Sequence, residues 1–234
     1  MNYGYEDSSQ KIPLDWQDES DRFSIQLYHH LASGVDLRNK DVADIGCGRG
    51  GGLAYIAKTF SPSSAIGIDL EKSAVNFANK FYHINGLSFR QGNAQKVPLA
   101  NNSCDVVLNV ESSHRYLEMD IFLSEVCRIL KEDGYFLYTD FRSRGEFPDL
   151  KQLLSSCGLT VIEEHQINSQ VAASLAGDSL RRKDLCSRLT PKFIRKKVEN
   201  FSGVVGSPTC KKIVSGEIVY FLFILQKKSL ANPN

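Results

Sequence analysis

The chain has no two cysteines close enough to form a CxxC pair and no apolar run long enough to cross a bilayer, and no secretory signal is expected from its opening residues. Its six cysteines lie scattered at 47, 104, 127, 157, 186 and 210, so neither a zinc ribbon nor a redox motif is written here and no metal site is expected. An even cysteine count does not by itself imply disulfides, and a core of this size does not need them. The segment Met1-Asn2-Tyr3-Gly4-Tyr5-Glu6-Asp7 lacks the basic-then-apolar order of a signal peptide. The longest wholly apolar stretch, Ile218 to Leu225, falls far short of the ~20 residues a transmembrane helix needs. Net charge is only +1, which removes any global electrostatic reason to bind nucleic acid or an anionic membrane. Together these absences lead us to expect a reduced, cytoplasmic protein.

What is present is ordinary globular composition, 42% hydrophobic and 24% charged, which excludes disordered and collagen-like chains. A length of 234 residues suits one α/β domain. From residue 41 to about residue 167, apolar runs of strand length alternate with amphipathic stretches of helix length. Asp41 to Gly46 reads as a first buried strand, with a helix following at Leu53–Lys58. Ala65–Asp69 reads as a second strand, and a helix from Glu71 to His83 places Ala74, Phe77, Ala78 and Phe81 on one stripe. A short strand follows near Leu87–Arg90, then a fourth at Cys104–Val110, a helix at Phe122–Leu130 and a fifth strand at Tyr135–Thr139. Such alternation means parallel strands joined by right-handed crossovers. The expected fold is therefore a Rossmann-like, doubly wound sheet with its ligand site at the C-terminal strand ends.

Two regions depart from this pattern. Residues 15–33, within an N-terminal cap of residues 1–40, suit a leading helix with Phe23, Leu27 and Leu31 on one face. Residues 168–212 interrupt the alternation after a core spanning 41–167, before a last strand at Glu217–Gln226 within the closing segment 213–228. This insert carries Arg181, Arg182, Lys183, Arg188, Lys192, Arg195, Lys196 and Lys197. Such a run ordinarily marks a solvated helix face. Contact with an acidic or lipid acceptor, or peripheral contact with a membrane, is the alternative.

The most informative segment is Asp44-Ile45-Gly46-Cys47-Gly48-Arg49-Gly50-Gly51-Gly52. Glycines here let the backbone turn off a strand and approach a ligand without Cβ obstruction, while the next helix offers its N-terminus. Gly46, Gly48 and Gly51 fit the dinucleotide GxGxxG pattern, whereas Gly46, Gly48 and Gly50 fit a GxGxG pattern. Either match alone is weak. Asp44 discriminates between them, because a carboxylate there hinders a pyrophosphate but suits a ligand carrying an ammonium and a sulfonium. Asp69 ends the second strand at a spacing suited to an acid that binds a ribose diol. Gly92-Asn93-Ala94-Gln95 follows the third strand, where a polar side chain can meet an adenine amine.

On these residues, 41–142 resemble the core of the class I S-adenosylmethionine-dependent methyltransferases. The resemblance departs from the family pattern at Asn93, where many members carry Asp. It implies a seven-stranded sheet with an antiparallel last strand, a place the Glu217–Gln226 run suits, and a substrate lid formed by the insert. It also implies S-adenosyl-L-methionine as cofactor, with Asp44, Gly46, Cys47, Gly48, Gly50, Asp69, Leu70, Asn93, Ala94 and Asn109 as candidate binding residues.

Methyl transfer from a sulfonium is an in-line displacement, so the enzyme must align the reacting atoms and take a proton from a hydroxyl acceptor. After the fourth strand the chain reads Asn109-Val110-Glu111-Ser112-Ser113-His114-Arg115-Tyr116. His114 is the candidate base, since an imidazole, with an ordinary pKa of ~6.5, is largely neutral at pH 7. Glu111 is the second catalytic candidate, orienting either the imidazole or the amino-acid end of the cofactor. A lone histidine in a loop is ordinarily only a solvated side chain. His29, His30, His83 and His165 read as structural.

Asn2 to Tyr5 together with Asn109 to Tyr116 resemble methyltransferases of the phthiotriol/phenolphthiotriol dimycocerosate type, which act on lipid or polyketide hydroxyls. That resemblance implies O-methylation of an apolar small molecule, with Tyr3, Tyr5, Arg115 and Tyr116 near the acceptor; related sheets also methylate carbon and nitrogen. A nicotinamide-dependent dehydrogenase is disfavoured by Asp44 and by the lack of a second domain. A nucleic-acid methyltransferase is disfavoured by charge and by the absence of an Asn-Pro-Pro-aromatic or Pro-Cys motif. A non-catalytic S-adenosylmethionine-binding scaffold would keep cofactor affinity and transfer nothing.

Overall fold

The computed structural model describes residues 2–7 and 12–228. After a 3-10 turn at Glu19–Asp21, the elements run α1 (Arg22–Ala32), β1 (Asp41–Ile45), α2 (Gly51–Thr59), β2 (Ser64–Asp69), α3 (Lys72–Phe81), β3 (Leu87–Gln91) and β4 (Cys104–Val110). There follow α4 (Met119–Ile129), β5 (Leu130–Ser143), α5 (Phe147–Ser156), β6 (Thr160–Gln166), α6 (Asn168–Leu189), α7 (Arg195–Phe201), α8 (Pro208–Ser215) and β7 (Ile218–Gln226). The seven strands form one sheet in the order β3-β2-β1-β4-β5-β7-β6. β1 to β5 pair in parallel, whereas β7 inserts antiparallel between β5 and β6. The sequence expectation of a doubly wound sheet with an antiparallel last strand therefore holds.

The central strands are apolar because both of their faces are covered. On one face Leu27, Leu31, Leu53, Ile56, Val75, Leu175 and Ile213 from α1, α2, α3, α6 and α8 pack in one cluster with Leu108, Tyr220 and Leu222. On the other, Phe122, Val126, Leu150 and Leu154 from α4 and α5 pack with Phe136, Phe221 and Phe223. β6 lies at the sheet edge, and its exposed Glu163, Glu164 and His165 discourage pairing with another chain.

Three sequence expectations change. The leading helix begins at Arg22 rather than in the run from residue 15, since Glu19–Asp21 forms only the short 3-10 turn. On α3 the buried pair is Val75 and Ala78, while Phe81 is 64% exposed. Phe77 and Phe81 instead stack at 5.3 Å and line a cavity beside the glycine loop. The insert is not a uniform solvated face either. Arg182 is 1% exposed and donates to Asp178 (2.8 Å), Ser202 O (3.0 Å), Asn2 O (3.1 Å) and Tyr3 O (3.2 Å). Among the described residues this guanidinium locks the N-terminal segment under α6.

Candidate active site

β1, β2 and β4 deliver their C-terminal ends to one edge of the sheet, and the glycine loop leaves β1 there. Gly46 has φ +81° and donates its N–H to Ile68 O at 2.7 Å. A Cβ on Gly46 would sit 1.9 Å from Ser112 Oγ, so only glycine lets the β1 and β4 ends approach this closely. Gly48, at φ +56°, is the opposite case: a Cβ there would meet nothing within 4 Å, because the residue faces open space. Gly48 N–H donates to Asp69 Oδ2 (2.7 Å), and Glu71 N–H to Asp69 Oδ1 (2.8 Å). The acid that ends β2 is thereby fixed in orientation beside the loop.

The space in front is a cavity of ≈ 980 Å³ lined by the Gly46–Gly52 loop, Asp69, Glu111, Ser112 and Arg115, with Phe77, Phe81, Tyr82 and Phe201 as its aromatic wall. That volume lies at the upper end for small-molecule sites, roughly 300–1,000 Å³. Arg49 is held at this rim with its guanidinium 3.7 Å from the centroid of Phe77.

Beneath the loop lie two buried oxygens with no hydrogen-bond partner, Asp44 Oδ1 on β1 and Asn109 Oδ1 on β4. Buried acceptors of this kind ordinarily find a donor. Tyr28 of α1 donates to the other Asp44 oxygen at 3.1 Å. Burial pushes the Asp44 carboxyl up to about 7, with the Tyr28 hydroxyl opposing and nearby Asp69 adding to the rise. Asn109 Nδ2 donates to Ile45 O (2.6 Å) and Tyr116 Oη (3.1 Å), tying β4 to the start of the loop. Cys47 is buried at the cavity wall, and burial raises its thiol.

Glu111 follows β4 at φ +45°, a conformation unusual for a residue with a Cβ. Its Oε1 accepts from Tyr3 N–H (2.5 Å) and from the Tyr220 hydroxyl. Burial pushes this carboxyl up to about 7 against those two donors. Tyr3 in turn donates its hydroxyl to Phe201 O at 2.9 Å. The N-terminal segment therefore ties the β4 end to the insert. Tyr5 points away, its ring stacked 4.1 Å from His30 on α1.

The 3-10 turn Ser113–Arg115 carries His114 across to β5 rather than into the glycine-loop cavity. His114 Nδ1 lies 2.8 Å from Asp140 Oδ1, and the His114 backbone N–H donates to Asp140 Oδ2 at 3.0 Å. Burial pushes the Asp140 carboxyl up, but the His114 imidazole, Arg142 and the Ser113 hydroxyl outweigh it and hold it below the usual carboxylate range. The imidazole stacks on Phe141 (4.4 Å) and opens to a second cavity of ≈ 760 Å³ with Tyr116, Met119, Phe141 and Arg142 in its wall. Residues 110–116 partition the two cavities, since Glu111, Ser112 and Arg115 face one and Ser113, His114 and Tyr116 the other.

The structure thus gathers Gly46, Cys47, Gly48, Gly50, Asp69, Glu111 and Arg115 on one cavity, with Asp44 and Asn109 directly behind it. Besides Asp44 and Asn109, three more of the expected cofactor residues lie outside that lining. Leu70 is 68% exposed. Asn93 Oδ1 is taken by Gln95 N–H (2.9 Å) in a local turn, and Ala94 is packed into the α4-side core. Sequence reasoning missed Tyr28, Asp140, Arg142 and Tyr220. An acid in the apolar run Tyr135–Phe141, at a strand's C-terminal end, was a readable signal for Asp140; nothing local marks Tyr28 or Tyr220.

Residues 43–138 match a family described as a methyltransferase domain. The chain is 41% identical over 202 residues to the fatty-acid O-methyltransferase of Mycolicibacterium smegmatis, covering 86% of this chain and 74% of that one. It is 36% identical over 228 residues to the phthiotriol/phenolphthiotriol dimycocerosates methyltransferase of Mycobacterium tuberculosis, covering 97% and 84%. In fold it superposes with TM-score 0.73 and 14% identity on the geranyl diphosphate C-methyltransferase of Streptomyces coelicolor solved with S-adenosyl-L-homocysteine, covering 97% and 92%. The chain therefore belongs to the S-adenosylmethionine-dependent methyltransferases and is an enzyme of that family.

Proposed function

We propose that the protein methylates an oxygen, in the first place a hydroxyl, of a lipid-like small molecule, with S-adenosyl-L-methionine held on the glycine loop. The residues present fit that cofactor. Gly48 leaves the loop open to a ligand, Asp69 is presented for a ribose diol, and the orphaned oxygens of Asp44 and Asn109 suit a cationic amino-acid end. When bound, the cofactor supplies an activated methyl group on a sulfonium. The names of the two relatives and the apolar Met119 and Phe141 beside His114 support an apolar acceptor.

The observation that carries the reading is the His114–Asp140 pair at the partition between the two cavities. A buried carboxylate on Nδ1 fixes the tautomer and leaves Nε2 as the basic nitrogen, the arrangement used to draw a proton from a hydroxyl. Arg142 Nη1 lies 3.6 Å from Asp140 Oδ2 and favours its ionised form. Glu111 holds the N-terminal segment across the β4 end.

The test is turnover on a hydroxylated long-chain acceptor, with a long-chain fatty acid alongside. His114→Ala is expected to leave S-adenosylmethionine affinity unchanged and to lower turnover on the hydroxyl acceptor by 10²–10⁴-fold, the usual worth of general base catalysis. Full turnover in the variant would remove the base. Turnover confined to the fatty acid, whose carboxylate needs no deprotonation, would move the acceptor class from hydroxyl to carboxylate.

A further inference from the structure

The α6–α7 connection presents an exposed apolar tip inside a cluster of positive charge. α6 ends at Leu189, and the chain turns through Pro191 to Ile194, whose N–H returns to Pro191 O at 3.2 Å. At this tip Leu189 is 78% and Phe193 86% exposed. Arg195 turns inward to donate to Ser187 O at 2.8 Å, clamping α7 against the end of α6. Residues 188–197 hold five basic side chains and no acidic one. Arg188 pairs with Asp184 at 3.0 Å, while Lys192, Lys196 and Lys197 are exposed.

Two large apolar side chains in water and a self-repelling charge cluster are both unfavourable, and one surface relieves both: an anionic lipid headgroup layer over an apolar interior. A protein partner fits less well, because two side chains make no interface core and lysine is depleted from such cores. A second copy of the chain would bring like charges together. No helix among the described residues is long and apolar enough to cross a membrane, so contact of this kind is peripheral. The tip is also well placed. α7 has seven residues, roughly 10 Å at 1.5 Å per residue, and its last residue, Phe201, lines the glycine-loop cavity.

We propose that the Leu189–Lys197 tip docks on anionic membrane surfaces and sets the cavity mouth beside the bilayer, where a lipid acceptor resides. The second half of this statement rests on the lipid reading above; the docking itself does not, and is measured without acceptor or turnover. The purified full chain would be sedimented with phosphatidylcholine vesicles, with and without phosphatidylglycerol, at low and high salt. Binding is expected only with phosphatidylglycerol and is expected to weaken with salt.

Each basic side chain near such a surface strengthens partitioning roughly fivefold, so K192E with K196E is expected to weaken binding by at least ~25-fold. Phe193→Ser is expected to weaken it on its own. Both variants should keep wild-type melting temperature and S-adenosylmethionine affinity, since none of the three residues lines the cavity. No binding to anionic vesicles, or binding unchanged in the variants, would overturn the proposal. So would concentration-dependent dimerisation that Phe193→Ser abolishes, which would assign the tip to a second copy.

Discussion

If the unpartnered oxygen of Asp44 under the glycine loop meets the cationic end of the cofactor, binding should depend on pH. In the free protein burial holds the Asp44 carboxyl at about 7. A cationic ligand beside it returns the group to the ordinary carboxylate range, ~3.9. Only the ionised form then binds well. With a midpoint at 7 that form is about 9% of the protein at pH 6 and about 76% at pH 7.5, so affinity should rise about eightfold between them. At pH 6 binding should release close to one proton, and at pH 7.5 only about a quarter of one.

Titration calorimetry in buffers of different ionisation enthalpy reads both quantities. Asp44→Asn supplies the control, because it keeps shape while removing the titration, and whatever pH dependence the ligand's own amino group brings remains in both proteins. The part of the slope due to Asp44 should vanish in the variant and persist in the wild type. An identical slope in the two proteins would place the ammonium elsewhere and refute the reading of the buried pair.

The same group acts on stability in the opposite sense. A folded pKa raised above the unfolded one gives stabilisation that is present below pH ~4 and lost as pH rises through 7. The ceiling is about 4 kcal/mol at 1.36 kcal/mol per pH unit. The free enzyme should therefore melt lower at pH 8 than at pH 5.5, and saturating cofactor should narrow the gap.

Two further perturbations address the ties of the N-terminal segment. Arg182→Met removes the buried donor to the Ser202 and Asn2 carbonyls and one of the two donors to Tyr3 O, which also accepts from Ser174 Oγ, and should destabilise the fold by about 3–5 kcal/mol, a fall in melting temperature of roughly 10 °C. A fall of under ~2 °C would mean that the N-terminal segment is held by other contacts. Tyr220→Phe removes one of the two donors to Glu111 Oε1 and should cost about 1–3 kcal/mol in chemical denaturation at pH 8. The loss should be smaller at pH 5.5, where the Glu111 carboxyl, held at about 7, is protonated. The reverse order would show that the hydroxyl serves the neutral acid.

What the sequence made legible and what it hid follow from the range of the interactions. The strands β1, β2 and β4 were readable because each is a contiguous apolar run, and the glycine loop because its constraint lies in the backbone of adjacent residues. Asp69 could be placed because a strand end fixes the position of its last residue. His114 was recognised as a residue of interest, but the sequence did not show that it lines the second cavity rather than the glycine-loop cavity. Its direction is set by Asp140, 26 positions away, and by a 3-10 turn that no periodicity announces. The partner of Glu111 is Tyr220, 109 positions distant, on a strand whose apolar pattern gives no hint that one hydroxyl is used. The basic insert failed for a related reason. Composition treats Arg182 and Lys192 alike, yet the first is enclosed among backbone carbonyls that arrive from the opposite end of the chain and the second stands in solvent. A charge run is therefore a list of candidates for two different jobs, locking a fold and meeting a surface. Only the direction of each side chain distinguishes them, which is why the docking surface became visible once Arg182 and Arg195 had been accounted for as internal ties.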